Sequence, residues 1–397
     1  MRLNKSNKNN MNSFQAQFDE VVKLIDFEDY PLLIKRIIDF TLDTEDINYY
    51  RKTNDFLSWF DETDETSEEK KENFLCLLNE LYDFLIEKKS SKKEKEILLS
   101  VDNLIKSYKK SNFVLGPINF QIKEGEIIGL VGENGNGKTT LLRSLCGELQ
   151  LTGGNINFTF PYNDNYDLRS KLVYIPQRTP SWQGSLLSNL QFTASSYGYK
   201  GEKNSLIVEL IIARMGLRKF RNYKWKDLSS GYKMRFELAR ALLRKPKLLL
   251  IDEPLANLDI LAQQTVLDDF KHIANSAFRP IGIVLSSQQL YEVEKTSDDV
   301  IFLKEGKTLN SVKDTSAVYV EVPKLIIEFE SSWKQEQLHK AFETLNLEKI
   351  QMNGGTYIAC FSNSISQQDF LITILENDIP LVYFRNISNS TRRFFLS

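Results

Sequence analysis

The sequence predicts an α/β core with a largely parallel sheet, a small helical segment before it and an α+β unit after it. Three observations carry this reading. From Ile97 to about residue 315, short β-branched runs alternate with helical ones. Before that, apolar residues recur only at helical spacing. After it, the order strand-helix-strand-strand-helix-strand replaces the alternation. The expected divisions are 1–95, 96–317 and 318–397.

In the first division, Phe14, Phe18, Val21, Val22 and Ile25 share one helical face, and "YPLLIKRIIDF" restarts at Pro31, a favoured first-turn position. At least two helices are expected here. A third apolar run, "NFLCLLNELYDFLI", follows the acidic stretch "DETDETSEEKKE", which reads as a solvated loop or helix flank. "EKKSSKKEKE", Glu87 to Glu96, contains no apolar residue and reads as a linker. In the last division "KLIIEFE" is a strand, "KQEQLHKAFETL" a helix and "KIQMNGGTYIACF" a hairpin turning at Asn353 and Gly354. "QQDFLITILEND" and "LVYFRNI" complete the ferredoxin-like β-α-β-β-α-β order, which hosts many functions and names no ligand.

Composition excludes several function classes. The 397 residues are 42% hydrophobic and 26% charged with a formal net charge of -2, an ordinary globular balance without a basic field for nucleic acid. The basic run "RKFRNYKWK", Arg218 to Lys226, reads as a solvated helix end. Cys76, Cys146 and Cys360 lack CxxC spacing, which points to a reducing compartment such as the cytosol. His272 and His339 have no partner at metal-ligand spacing. The polar N-terminus lacks the apolar region of a signal peptide, and no apolar run approaches the ~20 residues of a spanning helix.

The chemistry concentrates in "EIIGLVGENGNGKTTLLRSL", an apolar strand, a glycine-rich loop and a helical run. Gly132, Glu133, Asn134, Gly135, Asn136, Gly137, Lys138 and Thr139 form the phosphate-binding pattern G-x-x-x-x-G-K-[ST] in its strand-loop-helix context, continuing into Thr140. The glycines let backbone N–H groups close around phosphates at the positive end of a helix. Lys138 is placed to reach the β and γ phosphates and Thr139 to offer its hydroxyl to Mg²⁺. Gly306, Lys307 and Thr308 imitate the pattern's end, but Ile301 stands where its first glycine belongs, so they read as a turn.

"KPKLLLIDEP" is an apolar strand ending in Asp252 and Glu253. Alone, two such acids fit a helix cap pair; below a phosphate loop, Asp252 fits the Mg²⁺ shell and Glu253 the polarisation of attacking water. "DLSSGYKMRFELARALL" brings Ser229, Ser230, Gly231 and Tyr232 to a helix start, where serine is also an ordinary cap. "IVLSSQQ" ends a strand in Ser286, Ser287, Gln288 and Gln289, which by themselves are ordinary turn residues.

In order and spacing these segments resemble the ATP-binding cassette (ABC) ATPases over about residues 97 to 313. The implied fold is a P-loop NTPase core of the ABC type with a helical subdomain. The family's signature loop, usually Leu-Ser-Gly-Gly-Gln, is matched by Leu228 to Tyr232, with departures at Ser230 and Tyr232. Tyr108 matches the adenine-stacking aromatic, Gln177 the Q-loop glutamine that also joins the Mg²⁺ shell, and Asp259 the D-loop aspartate. Gln288 stands where the family carries its H-loop histidine; it can donate through its amide but cannot shuttle a proton.

The resemblance implies two cassettes closing head to tail, each ATP between one phosphate loop and the other signature loop, in a homodimer or with a similar chain. It implies an ATP-hydrolysing subunit of a transporter, most like the single-cassette exporter ATPases, on the cytoplasmic face of a membrane through a separate transmembrane permease. "RTPSWQGSLLSNL", Arg178 to Leu190, would dock that partner, with Trp182 as an interface or packing anchor. The alternatives are an ATP-gated dimerisation switch with little hydrolysis, which Gln288 favours, and a soluble non-transport ABC protein. Nucleic acid is not an expected partner.

Overall fold

In the computed structural model, which describes residues 4–63, 66–88, 95–109, 112–256, 258–288, 290–309, 325–353, 355–362 and 365–388, four helices precede the first strand. They are α1 (Asn4–Asp26), α2 (Tyr30–Thr44), α3 (Ile47–Glu62) and α4 (Ser67–Lys88). Asp29 caps α2 by accepting Leu32 N–H, and Asp46 caps α3 by accepting Asn48 N–H at 2.7 Å. The sequence pattern does not announce α3, because only Tyr50, Thr53 and Leu57 of it are buried, too sparse a stripe to read. The acidic stretch belongs in part to α4, whose first turn carries Glu68 and Glu69 where negative charge complements the helix dipole.

The chain continues through β1 (Ile97–Ser107), β2 (Val114–Lys123), β3 (Ile127–Val131), α5 (Lys138–Leu145), β4 (Gly153–Phe158), α6 (Asn165–Lys171) and β5 (Leu172–Ile175). Next come α7 (Leu186–Ser196), α8 (Gly201–Arg214), α9 (Ser230–Leu243), β6 (Leu248–Ile251), α10 (Ile260–Ala274), β7 (Gly282–Ser287), α11 (Leu290–Thr296), β8 (Asp299–Lys304) and β9 (Lys307–Leu309). Six strands form one sheet in the order β5-β6-β7-β3-β8-β9, parallel except for β9, and β2-β1-β4 form an antiparallel sheet. Every residue of β3, β6 and β7 is buried, as a parallel sheet covered on both faces requires. One face packs on α5 and the antiparallel sheet through Leu130, Leu141, Leu250 and Val284. The other packs on the helices through Leu249, Phe236, Phe270 and Leu285. Gly306 is the β8–β9 turn, with φ near 80°.

The N-terminal helices join that second layer: Ile38, Leu42, Tyr50 and Leu57 share its core, with α2 and α3 packed on α8. A charge network crosses the contact. The fully buried Arg214 of α8 donates to both oxygens of Asp39 on α2, at 2.7 and 3.2 Å, and to Asp269 on α10 at 3.2 Å. Lys35 adds a second cation to Asp269, and Arg279 pairs with Asp43 at 2.7 Å. Burial alone would raise the Asp39 carboxyl; the Arg214 guanidinium overcomes that and holds it below its ordinary value. The basic run after α8 is also engaged, Arg218 with Asp61 and Arg221 with Glu209, while Trp225 is buried.

The last unit comprises β10 (Leu325–Ser331), α12 (Gln335–Ala341), β11 (Leu347–Asn353), β12 (Thr356–Phe361), α13 (Gln367–Glu376) and β13 (Leu381–Asn386). Its antiparallel sheet has the order β11-β12-β10-β13, the split βαβ arrangement. Phe329, Phe342, Phe361 and Phe370 form its separate core. Arg385 on β13 lies 3.8 Å from Glu294 of α11. Gly354 of the expected hairpin turn, residues 89–94 of the expected linker and residues 310–324 around the expected second boundary lie outside the described residues. Among the described residues no helix is long and apolar enough to cross a membrane.

Candidate nucleotide-binding site

Parallel strands end at the same edge of their sheet, and that is where the expected residues meet. With β6, β7 and β3 adjacent and Ile251 in register with Leu285, and Leu130 with Ser286, the residues following β6 and β3 converge on the end of β7. The loop Gly132–Gly137 leaves β3 and enters α5 at Lys138. Gly137 has φ near 102°, and a Cβ there would meet Leu115 and Phe113 within 3 Å, so only glycine fits. At Gly132 a Cβ would lie 2.4 Å from Leu303 O. Asn136 fastens the loop by accepting Glu305 N–H at 2.9 Å. Glu133, Asn134 and Gly135 are exposed at its tip, and Thr140 lends its carbonyl to Ser144.

Lys138 is buried; its ammonium donates to Gly132 O at 2.6 Å and Glu133 O at 3.3 Å and forms an ion pair with Glu253 Oε1 at 3.2 Å. Thr139 donates its hydroxyl to Asp252 Oδ2 at 2.7 Å. Neither acid caps the helix that follows; Asp259 does, accepting Ala262 N–H at 2.9 Å. Glu253 sits in the left-handed region with φ near 51°, and its Oε2 accepts Gln288 N–H at 3.3 Å. The Gln288 side chain is exposed, as is Gln177 two residues beyond β5. Tyr108 follows β1, part exposed, with the Lys106 ammonium 5.1 Å from its ring centre.

These residues fit a magnesium nucleotide. The N-terminus of α5 has no side-chain cap, so its N–H groups face the glycine loop without an internal acceptor, and Lys138 adds a cation beside them. Thr139 and Asp252, in contact, offer the hard oxygen donors Mg²⁺ takes.

Ser229, Ser230, Gly231 and Tyr232 lie in a different place, sharing a cavity of about 410 Å³ with Leu258, Asp259 and Ala262 and with no residue of the glycine loop. Ser229 occupies the N-cap position of α9 yet makes no capping bond, so its exposed hydroxyl is not consumed by its own helix. Tyr232 packs on Phe220 with ring centres 3.9 Å apart. Trp182 donates to Glu237 at 2.7 Å and stacks under Arg240 at 3.6 Å, joining the segment after Gln177 to α9 as a packing anchor. Two contributors have no role in the sequence reading: Tyr174, whose hydroxyl is 3.5 Å from Asp252, and Ser286, named there only as a turn residue at a strand end. Strand register was the available signal for Ser286.

Comparison with known proteins centres on the part of the chain that holds the glycine loop and the two acids. The family model described as ABC transporter matches residues 115–256. The spermidine/putrescine import ATP-binding protein PotA of Mesoplasma florum is 31% identical over 295 residues, covering 72% of this chain and 80% of its own length. The phosphonates import ATP-binding protein PhnC of Treponema denticola is 30% identical over 230 residues, covering 53% of this chain and 88% of its own. An ABC transporter ATP-binding protein of Bacillus cereus is 31% identical over 252 residues, covering 62% of this chain; the match spans 44% of that longer protein.

Proposed function

This chain belongs to the ABC transporter ATP-binding protein family, and on that premise we propose that it hydrolyses ATP at a head-to-tail dimer interface to drive a separate transmembrane permease. The observation that carries the reading is the meeting of Lys138, Thr139, Asp252 and Glu253 at one sheet edge, with Ser229 in a separate cavity that a second cassette must bring across.

In this mechanism Lys138 exchanges its loop carbonyls and Glu253 for phosphate oxygens, a stronger charge-assisted partner. The N–H groups at the start of α5 bind the same phosphates, and Tyr108 offers its ring to adenine. Thr139, Asp252 and Gln177 would hold Mg²⁺, which when bound neutralises charge on the phosphates. Glu253, released from Lys138, orients the attacking water and accepts its proton. Gln288 donates its amide to the γ-phosphate, and Ser229 with the α9 N-terminus supplies donors from the second cassette, a homodimer or a similar chain.

The proposed location is the cytoplasmic face of a membrane, held there by the permease, with Arg178 to Leu190 as docking surface. The export direction expected above rests on resemblance alone, and two relatives are named for import. The expected divisions 1–95, 96–317 and 318–397 are part of the proposal.

The test is steady-state phosphate release by the purified chain with ATP and Mg²⁺. Turnover is expected to fall at least about 100-fold in Glu253→Gln and in Lys138→Ala. Binding without release in the unaltered chain would replace turnover by an ATP-gated switch, the reading Gln288 favours.

A further inference from the structure

We infer that Ser286 is a positioning residue that sets both acids of the site through one hydroxyl, an inference that rests on the nucleotide reading above. Ser286 is fully buried at the end of β7. Its Oγ donates to Asp252 Oδ1 at 2.6 Å and accepts Glu253 N–H at 2.9 Å. A strand-end serine with only a capping task would serve its own strand. This one serves two consecutive residues beyond the neighbouring strand, both of them in the reaction.

The consequence for Asp252 is rotational. Its Oδ1 is bound to Ser286, which leaves Oδ2 turned to Thr139 at 2.7 Å and Tyr174 at 3.5 Å. Thr139 and Oδ2 are the pair offered to Mg²⁺. Removing the Ser286 hydroxyl strips a buried oxygen of its partner and frees the carboxylate to turn. For Glu253 the consequence is in the backbone: a residue at φ near 51° is held by its N–H to Ser286, while Gln288 N–H takes its side chain at 3.3 Å. The end of β7 therefore grips the site through one hydroxyl and one main-chain N–H, neither of which needs the family histidine.

The experiment uses the full chain as Ser286→Ala and Ser286→Thr, the second restoring a hydroxyl. ATP affinity is measured by calorimetry in EDTA and in excess Mg²⁺, alongside phosphate release and thermal melting. In Ser286→Ala, ATP affinity in EDTA is expected to stay within about twofold while the gain on adding Mg²⁺ shrinks about tenfold, the loss typical of groups that orient metal ligands. Phosphate release is expected to fall by about 10–100-fold and Ser286→Thr to recover most of both. An unchanged Mg²⁺ gain in a folded Ser286→Ala overturns the inference. So does an equal loss of affinity in EDTA, which marks a packing defect. An unaltered chain that shows the Mg²⁺ gain but no release sinks turnover alone and leaves the comparison decisive; one without any Mg²⁺ gain sinks both.

Discussion

At the residue scale, Gln288 serves the site through two different groups. Its main-chain N–H holds Glu253, which any residue but proline can do, and its exposed side chain is available to a ligand. If the amide donates to the γ-phosphate, Gln288→Ala is expected to weaken ATP binding about tenfold and leave ADP unchanged, because ADP lacks the acceptor. Equal affinities for ATP in both proteins, measured by calorimetry, would remove the side chain from the site. Lys138, Asp252 and Glu253 were legible in the sequence because their chemistry demands fixed residue types at fixed positions around a strand end. Ser286 was not, since its meaning comes from a hydrogen bond to a residue 34 positions away that exists only once β6 and β7 are in register.

At the element scale, helix α2 is held by charges as well as by its apolar face. The stripe Leu33, Ile37 and Ile38 could be read from spacing; the burial of Arg214 could not, because an arginine near a helix end reads as solvated. Asp39→Asn leaves Asp269, among the described residues, as the one carboxylate facing that guanidinium. The expected cost at neutral pH is about 2–3 kcal/mol, below the ~3–5 kcal/mol of a fully buried pair because one partner remains and Asp39 is a quarter exposed. The pH dependence has a definite sign. A carboxyl held below its ordinary value contributes stability that is complete above about pH 4 and lost as pH falls through the folded value. Denaturant midpoints of the two proteins should therefore converge below about pH 4. A gap that stays constant into acid would show that Asp39 acts by packing.

At the scale of the whole molecule, the head-to-tail arrangement proposed above makes one copy an incomplete site, because Ser229 lies in a cavity that no residue of the glycine loop lines. Glu253→Gln with ATP is expected to elute as a dimer by size exclusion with light scattering, and Ser229→Glu, which sets a negative charge against the γ-phosphate, is expected to stay monomeric while still binding ATP. A dimer that forms without nucleotide, or survives Ser229→Glu, argues against the head-to-tail arrangement. The βαββαβ order of the last unit was legible from alternating periods, whereas the joining of the first four helices to the central layer depended on contacts hundreds of residues apart. The Arg214 clamp also imposes an order in time. Asp39 leaves the ribosome 175 residues before the Arg214 guanidinium, with Arg36 of its own helix beside it from the start. At about 5–20 residues per second, roughly 10–35 s pass before that partner is made. During synthesis the Asp39 side of α2 keeps a hydrated carboxylate, and its contact with the central layer is completed only after the chain has delivered α8.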